Sequence, residues 1–188
     1  MPIVTGAKPE SSFSDPIGLL TDCHRRIERF LSVLVQVSAE AQGGPLTSGQ
    51  RASWETALRY FREAAPQHTA DEEETLFPRL RRPDYPEMPA VLARVESLET
   101  EHCSAETIHL SVDRLGRLWL TSGSLTSHDA ERLSALLAGL SDLYRNHIAD
   151  EEGEVFPVAA RFIPKTERDA MGIEMAARRG LSRSVGTA

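Results

Sequence analysis

Four His-x-x-x-Glu pairs recur along the chain: His24 with Glu28, His68 with Glu72, His102 with Glu106 and His147 with Glu151. On an α-helix, residues four apart sit one above the other, about 6 Å along the axis, on one face. Each pair therefore directs an imidazole and a carboxylate at the same spot. That donor set suits iron, manganese or zinc. A single such pair is commonly a solvated face or a packed histidine. Four in register ask for a cation, because burying histidines and carboxylates together is costly without one.

The register comes from an internal repeat. His68-Thr69-Ala70-Asp71-Glu72-Glu73-Glu74-Thr75-Leu76-Phe77-Pro78 aligns without gaps on His147-Ile148-Ala149-Asp150-Glu151-Glu152-Gly153-Glu154-Val155-Phe156-Pro157, with 7 of 11 positions identical at an offset of 79 residues. Leu20, His24 and Glu28 align with Leu98, His102 and Glu106 at an offset of 78. Both halves read Leu-x-x-x-His-x-x-x-Glu and then His-x-Ala-Asp-Glu-Glu…Phe-Pro. Two similar helical hairpins should pack with approximate two-fold symmetry.

The elements that must position these residues are long helices. Ile17, Leu20, His24, Ile27, Leu31 and Leu34 share one face of a first helix, from about Asp15 to Ala41. Gly43-Gly44-Pro45 ends it. A second runs from Thr47-Ser48 to about Arg82, bent or split at Pro66. Pro83, Pro86 and Pro89 mark the crossing to a third, Ala90 to Leu120, with Val91, Val95, Leu98, His102, His109 and Val112 facing inward. A fourth runs from Ser127 towards Arg161, with Pro157 a potential early end. A short fifth follows Pro164 and stops at Gly180. No segment alternates as a strand would. The expected fold is all-α: an antiparallel up-down four-helix bundle, residues 15–182, with a short C-terminal fifth helix, flanked by flexible segments 1–14 and 183–188. Bundle cores with inward Glu and His hold pairs of iron or manganese ions.

The rest of the sequence narrows the class. The 188 residues carry a net charge of −7, which disfavours nucleic acid and anionic membranes as partners. No apolar run approaches a membrane span. The first eight residues lack the apolar core of a signal peptide. Cys23 and Cys103 form neither a disulfide framework nor a Cys-x-x-Cys zinc pattern. A cytoplasmic location is expected. Each cysteine flanks a histidine and points about 100° away from it, so each reads as a small packed residue. His109, Tyr60, Tyr144, Trp54 and Trp119 read as packing, although Tyr144 stands three residues before His147. His128, near a helix start, reads as exposed.

Taken together, His24, His68-x-x-x-Glu72 with Leu76-Phe77-Pro78, His102, and His147-x-x-x-Glu151 with Phe156-Pro157 resemble the hemerythrin-like (HHE cation-binding) family, as does the closing stretch Glu174–Gly180. The resemblance covers about residues 15 to 180. It implies a non-haem di-iron centre with an oxo or hydroxo bridge: His24 and His68 on one iron, His102, His147 and Glu106 on the other, Glu72 and Glu151 bridging. Oxygen-carrying hemerythrins have a histidine where Glu106 stands. Two ferrous ions, a hydroxide and two glutamates leave one positive charge, and Glu106 would cancel it, favouring the ferric state. The resemblance with this change implies reaction with O2, peroxide or NO, including catalase- or peroxidase-like activity, rather than oxygen carriage. Glu28 then reads as outside the ligand set. A non-enzymatic oxygen, NO or iron sensor, or an iron-handling protein, is the competing reading, and a metal-free bundle the third.

Overall fold

The computed structural model describes residues 11–82 and 88–181. Most of the expected arm and the tail, residues 1–10 and 182–188, and the crossing prolines Pro83 and Pro86 lie outside the described residues. Every regular element described is helical, and no strand occurs among the described residues.

Helix α1, Pro16–Ala41, starts where the Asp15 side chain accepts from the Gly18 N–H and ends where Gln42 turns left-handed (φ 47°). Its buried face includes Leu20, His24, Ile27, Leu31 and Leu34 of the predicted stripe, and Ile17 at its start is half-buried. The second rod begins at a Thr47–Gln50 capping box and is divided. Helix α2, Ser48–Glu63, gives way to α3, Ala65–Ala70, just ahead of Pro66; a π-helical turn, Asp71–Leu76, and α4, Phe77–Leu80, complete it. The third rod is α5, Met88–Ser122, and the fourth is α6, Ser127–Asp150, then a second π turn, Glu151–Val155, then α7, Phe156–Phe162. Helix α8, Lys165–Arg178, closes the chain.

Two prolines behave otherwise than expected. Pro89 lies inside the first turn of α5 instead of before it, a place where its missing N–H satisfies nothing anyway. Pro157 does not end the fourth rod. At the end of each π turn the following phenylalanine, Phe77 or Phe156, donates its N–H to the carbonyl five residues back, Glu72 or Glu151. The ladder changes register there, and Pro78 and Pro157 fall at the junction, where a lost donor does least harm.

The rods pack in a ring: α1 against α2 and α6, and α5 against α6 and α2. Short connections make neighbours antiparallel, as in an up-down bundle. Two apolar clusters fill the interior. One centres on Leu34, Trp54, Leu115, Trp119, Leu133 and Leu140. The other contains Leu20, Leu76, Phe77, Leu98, Phe156 and Met171. The polar layer lies between them. Helix α8 is pinned by Asp71, a fully buried carboxylate paired with Arg178 and, at 2.6 Å, with Arg179. Within the expected arm, residues 11–14 are tied down: the Ser11 N–H donates to Asp22, and Phe13 packs on the second cluster. The Phe13 carbonyl passes so close to Gly172 that no side chain would fit there.

Candidate metal centre

The antiparallel rods bring the start of α1 level with the end of α3, and the middle of α5 level with the end of α6. His24, His68 and His147 are buried, His102 is nearly so, and Glu72 and Glu151 are fully enclosed. They form two overlapping groups. His24, His68, Glu72 and Glu151 offer ligand atoms within 4.8 Å of one another, and so do Glu72, His102, His147 and Glu151. Both glutamates belong to both groups, the position a bridging carboxylate needs.

The imidazoles converge through Nε2. His68 Nε2 lies 3.2 Å from Glu72 Oε1, and His24 Nε2 lies 3.0 Å from Glu151 Oε2. His102 Nε2 is 3.4 Å from Glu72 Oε2, His147 Nε2 is 3.4 Å from Glu151 Oε2, and the two imidazole nitrogens are 3.2 Å apart. All four carboxylate oxygens of Glu72 and Glu151, with His24 Nε2, are buried without a hydrogen-bond partner. Buried polar atoms are nearly always paired. Five orphaned atoms aimed at one spot fit a bound cation.

The electrostatics agree. Burial, then the neighbouring Glu72 charge, push Glu151 up to about 8. Burial alone would lower His24; the Glu151, Glu152 and Glu72 carboxylates around the ring outweigh it and raise it well above the usual imidazole range. His68, with burial dominant, falls to about 3. Without a cation the cluster must rearrange protons among its own groups to balance two enclosed carboxylates.

The Nδ1 atoms show residues that sequence reasoning missed. His24 Nδ1–H donates to Glu152 at 2.9 Å, His102 Nδ1–H to Glu73 at 2.8 Å, and His147 Nδ1–H to Glu101 at 2.9 Å. These bonds fix the tautomer that leaves Nε2 free to ligate. Phe156 stacks on His24 (ring centroids 5.3 Å apart) and Phe77 on His102 (6.3 Å). Each Glu-Glu…Phe repeat thus supplies a shared carboxylate, then grips and backs a histidine of the other half. The available signal was identity: Glu73 and Glu152 match across the repeat, whereas Glu74 and Gly153 do not.

Glu106 stands apart from the cluster. It is exposed, lines the cavity beside the site, and belongs to neither ligand group. Four residues past His102 a regular helix has turned about 40° further, and Glu106 is exposed there. Glu28 is exposed and paired with Arg25. Cys23 is buried and Cys103 exposed. His109 and Tyr144 bond each other at 2.8 Å, and His128 is exposed.

A bundle with a His/Glu cluster at its centre defines a class of metal-binding four-helix protein. Residues 15–159 match the Hemerythrin HHE cation binding domain, so the chain belongs to that family. It is also similar to an uncharacterized protein of Haemophilus influenzae, 28% identical over 171 residues, covering 90% of this chain and 92% of that one.

Proposed function

We propose that this chain is a non-haem di-iron protein that reacts with O2, peroxide or NO in the reducing cytoplasm. The carrying observation is the set of four unpartnered carboxylate oxygens, on Glu72 and Glu151, facing the Nε2 atoms of four histidines. On this reading His24 and His68 hold one ion, His102 and His147 the other, and Glu72 and Glu151 span both. The ions would supply redox equivalents and Lewis acidity. The protein's part is positional. Glu152, Glu73 and Glu101 hold three imidazoles in the ligating tautomer, and Phe77 and Phe156 fix two ring planes. Access supports small-molecule chemistry: His24, His68, His102 and His147 line a cavity of about 440 Å³ whose wall includes the exposed Leu110. Two free cysteines accord with a reducing compartment.

Metal analysis of the purified protein should give two irons per chain. Its near-ultraviolet bands should bleach with dithionite. Oxygen evolution from added peroxide identifies a catalase-like enzyme; full iron occupancy with no peroxide turnover identifies a sensor or iron handler instead. Protein that takes up no metal would overturn the proposal.

A further inference from the structure

The two halves of the centre are not equal. Three histidines have a carboxylate on Nδ1, but His68 Nδ1 is buried with no hydrogen-bond partner. The repeat explains the gap. His147 is held by Glu101, the residue before His102. At the 78-residue offset the residue equivalent to Glu101 is Cys23, the residue before His24. Where one half places an acceptor, the other has a thiol. Cys23 does not substitute: its sulfur lies 3.5 Å from Arg26 Nη2 and gives His68 no bond.

The consequence follows from the tautomers. To ligate through Nε2, a neutral imidazole must carry its proton on Nδ1. At His147 that proton has Glu101 to receive it, and the carboxylate makes the ring a stronger donor. At His68 the same proton would be buried with nothing to accept it. The alternative tautomer puts the proton on Nε2 and blocks the ligand atom.

We propose that the centre has two metal sites of different affinity: a tight one built on His102 and His147, and a weaker, exchangeable one built on His24 and His68, with the Glu101/Cys23 difference setting the gap. The inference rests on the metal-centre reading above and adds to it. At limiting metal the chain holds one ion, and the second site fills only as the supply rises. The population of two-metal protein then follows the free divalent-metal level.

The test is anaerobic titration of the metal-stripped full chain with Fe2+, followed by calorimetry. Loss of an outer carboxylate partner typically weakens binding 10–100-fold, so two steps separated by at least tenfold are expected. His147→Ala should remove the tight step and His68→Ala the weak one. Glu101→Gln should weaken the tight step until the two nearly merge. Cys23→Asp, where it folds, should strengthen the weak one. Two equal steps in the parent chain, or a Glu101→Gln chain that keeps its separation, would overturn the inference while leaving the metal reading intact. Absence of any uptake defeats the metal reading instead.

Discussion

Glu152 reaches from the fourth rod to the first and accepts from His24 Nδ1 at 2.9 Å, while Arg25 braces its other oxygen at 2.5 Å. A residue in an acidic run thereby decides which nitrogen of a histidine in the opposite half faces the centre.

Removing that bond should be felt in metal binding before it is felt in folding. Glu152→Ala is expected to weaken metal affinity roughly 10–100-fold with little change in helicity. Glu154→Ala, at an exposed position in the same turn, should change neither. Competition against a calibrated chelator measures both.

Glu106 separates the family expectation from the geometry. Since its carboxylate lies outside both ligand groups, Glu106→Ala should keep full metal occupancy. Glu72→Ala and Glu151→Ala should each lose most of it, because either change removes a group shared by both sites. Elemental analysis after gel filtration decides between them.

His109 gives a pH signature away from the centre. Burial lowers it from 6.5 to about 4. The fold favours the neutral ring, so its stability contribution is complete above pH 6.5 and is lost as pH falls towards 4. Relative to the parent, His109→Phe should recover about 2 kcal/mol between pH 7 and pH 4.5, allowing for the ring's partial exposure. Urea unfolding at the two pH values, with excess chelator, reads the difference.

Asp71 ties α8 to the π turn next to Glu72. Asp71→Ala would remove the buried carboxylate that Arg178 and Arg179 share, leaving Arg178 with Glu74 and Thr75 and Arg179 with the Met175 carbonyl. The cost should be roughly 2–3 kcal/mol, less than for a fully enclosed pair because both guanidiniums reach solvent. Denaturant unfolding measures it, and metal affinity should fall alongside.

Much of this was legible in the sequence because helical periodicity and the repeat are both read in units of the backbone turn. The stripe on α1, the break before Pro66 and the convergence of His24, His68, Glu72, His102, His147 and Glu151 all follow from three- and four-residue spacing. What escaped was whatever depends on a partner in another rod. Glu73, Glu101 and Glu152 look like solvent-facing acids until the histidine opposite is known. Glu106 looks like a ligand by spacing, but its flexible stem can turn either way. Pro157 looks like a stop only if the ladder around it is a regular α-helix.

The π turns carry one more consequence, concerning which length changes the gene can tolerate. Each puts one extra residue into a helical turn just where shared carboxylate, outer carboxylate and phenylalanine must follow one another. Deleting one residue there would rotate everything downstream by about 100°. Phe77 or Phe156 would swing off its histidine with the composition of the rod almost unaltered. Drift in length should therefore be absorbed by the connections between rods, while the segments from His68 to Pro78 and from His147 to Pro157 keep their count.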